Sequence, residues 1–292
     1  MFPSPAMLFL YPLIYTFIGI CFLVFVVYQY LVRKLRFHRP KNFPYKGQVP
    51  NPAAKGKKAV VCIGDSITHG NVSANYVDML ERWMGEDFFF YNAGVNSDLT
   101  YTVLDRLEAI IAAQPDFVTL LIGTNDVNAT VSKASLKKYY QFHKITPGAL
   151  PDFESFQQNY VEIVRQLKTQ TKAQIAVLSL PVMGENLQNE ANLKADLYSE
   201  FIKTLAANEQ VTYLPVRERM KDFLKSHPKK LSYEYKDTIK LMYLSVIKHE
   251  LLGQNWDKIG LSHGMDLTQD NLHFNTRGAA MIASLVEKWL KQ

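Results

Sequence analysis

The sequence predicts an α/β fold: a parallel sheet covered by helices on both faces, preceded by one transmembrane helix. Three observations predict it. Short apolar runs that end in Gly or Pro alternate with segments of helical spacing from Lys58 onward. The helical segments are long enough to cross over between parallel strands. Ahead of them, Met7 to Val32 is an uncharged, mostly apolar run of 26 residues.

A helix of about 20 apolar residues spans the hydrocarbon layer, so residues 1–32 are read as an N-terminal transmembrane anchor. Pro12 lies near its start, where a missing hydrogen bond is tolerated. The alternative is a cleaved signal peptide. Against it, no Lys or Arg precedes the run and no small-x-small cleavage site follows. Nine basic residues and no acidic one lie between Arg33 and Lys58. Residues 33–57 therefore read as a basic stalk. Pro40, Pro44, Pro50 and Pro52 argue for an extended tether there. The positive-inside bias puts the C-terminal domain on the cytoplasmic side of a single-pass membrane protein, with the stalk against anionic headgroups.

The 292-residue chain carries a net charge of +6, but the 234 residues after Lys58 hold 24 basic against 27 acidic. A phosphate-tracking surface needs its charge on the folded body, so nucleic-acid binding is set aside. Cys21 and Cys62 are not expected to meet, which gives no disulfide framework.

In residues 58–292, Lys58–Ile63 is the first strand, ending in Gly64, and residues 75–84 are helical. Phe88–Tyr91 is a second strand, and Leu99 to Ala113 a helix that stops before Pro115. Phe117–Ile122 is a third strand, 153–170 an amphipathic helix, and Gln174 to Leu180 a fourth strand. Residues 187–207 are helical, Val211 to Leu214 is a fifth strand, and 276–290 is a final helix capped by Asn275. Residues 217–262 break the alternation as a helical insertion. In it Ile239, Met242, Tyr243, Val246, Ile247 and Leu251 recur at helical spacing. The spacing fits a helix packed on the core; a lid or membrane-facing helix is the alternative.

Three polar clusters fall beyond the C-terminal ends of strands, where sites form in such sheets. Gly64-Asp65-Ser66 leaves the first strand, and a serine on that turn is a workable nucleophile if a base is near. Gly123-Thr124-Asn125-Asp126 leaves the third; in a flavodoxin-like order it neighbours the first, and an Asn amide there can donate to an oxyanion. Asp270-Asn271-Leu272-His273 precedes the last helix, and its spacing lets the carboxylate reach the imidazole. Taken singly, each has a plain structural explanation as a cap or turn.

Together with Asn92-Ala93-Gly94, these motifs resemble the SGNH, or GDSL-type, hydrolase family over roughly residues 58–291. The resemblance implies a three-layer α/β/α fold with five parallel strands, and neither cofactor nor metal. It implies a serine esterase or lipase in which Ser66 attacks an ester carbonyl, His273 is base then acid, and Asp270 orients it. The oxyanion donors implied are the Ser66 and Ser97 backbones and the Asn125 side chain. Ser97 departs from the family's usual glycine at its position, and carries strain if the backbone there needs a positive φ.

Two decoys stand beside this set. Gly260-Leu261-Ser262-His263-Gly264 matches G-x-S-x-G, but no strand precedes it. His69, three residues from Ser66, is a rival base without an obvious orienting carboxylate. The tether points to lipid-derived esters as substrates. The alternatives are a carbohydrate O-acetyl esterase, or a membrane-tethered binding protein that kept the fold and lost turnover.

Overall fold

The computed structural model describes residues 5–45, 56–146 and 149–292. It divides into two compact units, residues 1–38 and 39–292.

The first unit is one helix, α1 (Pro5–Phe37). It runs beyond Val32, through the first residues assigned to the stalk. Nothing in Arg33–Phe37 disfavours a helix; the break comes before Pro40, whose ring restricts the residue preceding it. Tyr11–Leu35 is long and apolar enough to cross a membrane, with a mean hydropathy of 2.1. Its apolar side chains, among them Leu13, Phe17, Phe22 and Phe25, are exposed, unlike those of a core helix. Of the tether, residues 38–45 carry no regular helix, and 46–55 lie outside the described residues.

In the second unit five strands form one parallel sheet: β1 (Lys58–Gly64), β2 (Phe88–Gly94), β3 (Phe117–Leu121), β4 (Gln174–Leu178) and β5 (Thr212–Leu214), in the order β2-β1-β3-β4-β5. The expected fold class is borne out. Side chains alternate across each strand, so β1 feeds two cores. Val61 and Ile63 face one side, where α4 (Thr100–Leu104), α5 (Leu107–Ala112), α8 (Phe153–Gln170) and α9 (Glu190–Glu209) supply Val103, Ile110, Phe156, Tyr160 and Ile202. Val60 and Cys62 face the other, against Leu80 of α3 (Tyr76–Met84), Met220 of α10 (Val216–Ser226) and Val286 of α13 (Thr276–Leu290). Burial on both faces explains the nearly unbroken apolar runs of the central strands.

Three departures from the sequence reading have local causes. The helix expected over Leu99–Ala113 is two, α4 and α5, broken at Arg106. That side chain turns inward to Asp98 Oδ2 (2.7 Å) and to the Gly64 carbonyl (3.1 Å). Two helices after β3, α6 (Thr124–Val131) and α7 (Lys133–Gln141), went unread because their buried positions include Asn125, Asp126 and Asn128 rather than an apolar stripe. Within the insertion, α11 (Thr238–Glu250) turns Leu241, Ser245 and Val246 inward, but leaves Tyr243, Leu244, Ile247 and Leu251 exposed. Only part of its apolar pattern packs on the core. α2 (Ser66–His69), α12 (Trp256–Ser262) and a short 3₁₀ turn at Tyr235–Asp237 complete the helices of the described residues.

The register sets the site's position. Gly64 of β1 pairs with Gly94 of β2 and with Leu121 of β3. The three chains therefore leave the sheet at one level. Gly94 is forced by proximity, since a Cβ there would lie 2.1 Å from the backbone nitrogen of His69. Gly123, which caps α6 with φ 123°, occupies a conformation open to glycine.

Candidate active site

Ser66 is the first residue of α2, immediately after the β1 turn. Asp65 caps that helix, its Oδ1 accepting from the Ile67 N–H at 2.9 Å. As a first-turn residue, Ser66 has a backbone N–H with no acceptor inside the helix. Its Oγ lies 2.9 Å from Nε2 of His273, 207 residues away. On the other edge of the ring, Nδ1 lies 2.8 Å from Asp270 Oδ2. A proton on Nδ1 satisfies that carboxylate and leaves Nε2 as an acceptor toward Ser66.

The loop carrying Asp270 and His273 is built from its own sequence. Asp270 Oδ1 accepts from the N–H groups of Leu272 (3.0 Å) and His273 (2.7 Å), an Asx turn. Asn271 sits at φ 73°, a turn conformation Asn tolerates. A bridge between Thr268 and Phe274 closes the loop.

One residue that fixes this loop was missed from sequence. Glu185, beyond β4, is buried, and its Oε1 accepts from the N–H groups of Asp266 (2.9 Å), Leu267 (2.7 Å) and Thr268 (2.9 Å). Lys229 balances its charge at 2.8 Å and also meets Asp266 at 2.7 Å. The only sequence signal is an acidic residue just past a strand's C-terminal end.

Asn125 lies in the first turn of α6. Its Nδ2 donates to the Asp98 carbonyl at 2.9 Å and, less closely, to Asp65 Oδ2 at 3.3 Å. Its Oδ1 accepts from the Tyr139 hydroxyl at 2.6 Å, which fixes which way the amide points. Tyr139 in turn accepts from Asn128 (3.0 Å), whose Oδ1 accepts from Tyr235 (3.2 Å). No periodicity marks Tyr139 or Tyr235 as part of this chain.

Ser97 has φ 62°, so the backbone is left-handed where the resemblance implies glycine. The turn around it is braced by Asp98, buried and ion-paired to Arg106 and Lys144. The two decoys lie elsewhere in this geometry. Ser262 ends α12, donating to the Ile259 carbonyl at 2.7 Å. His69 is buried in α2 while the Ser66 hydroxyl meets His273. Among the described residues, no group of three or more His, Cys, Asp or Glu is placed to hold a metal ion.

The electrostatics follow from burial. Desolvation pushes Asp65 up to about 7, against the hydrogen bond from Ile67 and the pull of His273. Desolvation likewise lifts Asp126 to about 6, opposed by hydrogen bonds from Thr100. For His273, desolvation favours the neutral ring, but the charge and hydrogen bond of Asp270, with Asp65, outweigh it and raise the imidazole above its ordinary value.

The comparisons with known proteins agree with this picture. The profile of the GDSL-like Lipase/Acylhydrolase family matches residues 62–281. No curated protein matches the sequence. Among solved structures, the acetyl xylan esterase AlAXEase is 19% identical with a TM-score of 0.54, the match covering 80% of this chain and 99% of that one. The acetylxylan esterase Axe2 from Geobacillus stearothermophilus is 18% identical with a TM-score of 0.53, covering 80% and 94%. LAE5, an alpha/beta hydrolase from the metagenome of Lake Arreo, Spain, is 17% identical with a TM-score of 0.54, covering 79% and 94%. At these identities the likeness is one of fold.

Two predictions arise from the site. A base works only when neutral, so raising the His273 pKa moves the acid limb of the kcat/KM profile above pH 6.5, the ordinary histidine value. Asp270→Asn removes the raising charge. Its acid limb should shift to lower pH while the plateau falls by about 10²-fold or more, measured with a chromogenic ester. Glu185→Ala leaves three backbone N–H groups without their acceptor and should cost about 3 kcal/mol or more in denaturant unfolding. Glu185→Gln, which keeps an acceptor oxygen, should cost less.

Proposed function

The chain belongs to the GDSL-like lipase/acylhydrolase family, a family of ester hydrolases, and on that premise we propose that Ser66, His273 and Asp270 hydrolyse carboxylic esters through an acyl-serine intermediate. The observation that carries the reading is the Ser66 Oγ to His273 Nε2 distance of 2.9 Å, with Asp270 at 2.8 Å behind the ring.

Ser66 Oγ attacks the ester carbonyl carbon as its proton passes to His273 Nε2. The tetrahedral oxyanion takes hydrogen bonds from the Ser66 and Ser97 N–H groups and from Asn125 Nδ2. For Asn125 this means giving up the longer of its two bonds, the 3.3 Å one to Asp65. Such a donor contributes about 3–4 kcal/mol to the transition state. The bond to the alcohol oxygen breaks, and that oxygen leaves with the proton held on His273. Water then gives a proton to the same nitrogen and attacks the acyl carbon. The acid departs and Ser66 regains its hydrogen. Asp270 stays ionised throughout and supports the imidazolium.

Two substrate readings stand, each with its own support. The apolar helix α1 ahead of the domain favours lipid-derived esters met at a membrane. The acetylxylan esterases of the same fold favour an acetyl group on a carbohydrate. A p-nitrophenyl ester series from acetyl to long acyl chains separates them: a maximum at acetyl selects the carbohydrate reading, a maximum at long chains the lipid one. In either case Ser66→Ala should lower turnover by about 10³-fold or more. Equal rates for wild type and Ser66→Ala would refute the nucleophile assignment and favour a binding protein of this fold.

We propose further that α1 anchors the enzyme and that the positive residues following it hold the domain on the cytoplasmic side. In sealed inside-out vesicles the domain should then be cleaved by added protease. Protection there, with cleavage in right-side-out vesicles, would reverse the topology.

A further inference from the structure

The outer face of α11 breaks the rule for a solvent-facing helix. Tyr243, Leu244, Ile247 and Leu251 follow one another at spacings of one, three and four residues, which is a single helical stripe. All are exposed, and Leu252 and Leu261 add to the patch at 64% and 71% exposure. Lys248 ties α11 to α12 through Ser262 Oγ at 2.9 Å, the residue next to Leu261. Contiguous exposed apolar surface of this kind marks an interaction site.

Charge says what covers it. Residues 217–262 hold ten basic against six acidic side chains, while the rest of the domain, 59–216 and 263–292, holds 14 basic against 21 acidic. The insertion is thus the positive part of an otherwise negative body. Lys240 and Lys258 are exposed on the two helices of the patch. Glu250 and Asp257 are the acidic residues of α11 and α12. Apolar side chains rimmed by lysines are the chemistry of a helix lying in the headgroup layer of an anionic bilayer. A second copy of the domain would bring the same net positive insertion against itself.

We propose that the outer face of α11, with Leu252 and Leu261, docks on an anionic lipid bilayer, the one in which α1 is anchored. The inference rests on the anchor reading, because a tether makes the second contact intramolecular. A weak apolar face then suffices, its effective concentration being set by the tether. Docking would seat α11 on the lipid, and Tyr235, just ahead of α11, starts the hydrogen-bond chain that runs inward to Asn125.

The test uses the full chain with Cys21→Ser, leaving the buried Cys62, and an environment-sensitive NBD label on Ile247→Cys or, as control, on exposed Lys203→Cys of α9. Each protein is reconstituted into phosphatidylcholine vesicles with or without about 30% phosphatidylserine and floated on a density gradient. Flotation reports the anchor; the label reports the face. The expected result is a blue-shifted NBD emission, about twofold more intense, at 247 but not at 203, strengthened by phosphatidylserine. It should be lost in Leu244→Asp/Leu251→Asp, which keeps its rate on p-nitrophenyl acetate. Floating protein with the same emission at both positions overturns the docking and leaves the anchor standing. Protein that does not float overturns the anchor and the docking with it. An emission at 247 that follows protein concentration in detergent and ignores lipid overturns the proposal in favour of a second copy.

Discussion

The site depends on one constraint, the level at which three strands end. Gly64, Gly94 and Leu121 are register partners, so the chain turns away from the sheet at one height in three neighbouring places. Each turn must then share a small volume with the other two, which is why backbone approaches backbone at Gly94 and why Gly123 takes a φ closed to other residues. Into that volume comes a fourth segment, from near the C terminus, held by α13 packing against α3 and by Glu185 gripping its backbone. Without the common height, the loop carrying His273 would meet one turn but not all three.

This crowding has an electrostatic consequence. Asp65, Asp98, Asp126 and Asp270 are all buried, and two of them, Asp270 and Asp65, act on the His273 imidazole. Only Asp98 has cationic side chains from Arg106 and Lys144. Asp65 and Asp126 are satisfied by N–H, amide and hydroxyl donors instead, and both are driven upward toward neutral pH by desolvation. A folded-state carboxylate with a raised pKa binds protons that the unfolded chain has released. Its contribution to stability therefore falls as pH rises from the unfolded value through the folded one. The domain gives up stability near neutrality at the same residues that hold Ser66 and Asn125 in place, a common cost of a preorganised polar site.

What the sequence made legible, and what it did not, divides along physical lines. The strands were readable because burial on both faces leaves apolar runs, and Asn275 announces the last helix by capping it. Ser66, Asn125, Asp270 and His273 stood out because each follows a strand end or sits in a turn, where a side chain needs a reason to be polar. Tyr139, Glu185 and Arg106 had no such marker. Their work is to orient Asn125, to hold the loop before Asp270, and to brace the Ser97 turn, and the partners belong to other elements: Tyr139 of α7 meets Asn125 of α6, Glu185 reaches 82 residues to Leu267, and Arg106 meets the Gly64 carbonyl at the end of β1. Long-range partners are set by topology, which local pattern does not encode. α11 failed differently: its apolar repeat announced a helix correctly, but the repeat says nothing about whether its two sides face protein or something else.

Topology also sets the insertion apart from the strands that position the site. β5 is an edge strand, and the chain between it and α13 carries α10, α11 and α12 before returning with His273. That segment lies outside the register of β1, β2 and β3. It nevertheless reaches the centre of the site: Tyr235 bonds Asn128, Asn128 bonds Tyr139, and Tyr139 sets the orientation of the Asn125 amide. The likeness to acetylxylan esterases at 18–19% identity is one of architecture. The insertion is tied to Asn125 by hydrogen bonds through side chains that this architecture does not dictate, while its own outer face is basic and partly apolar.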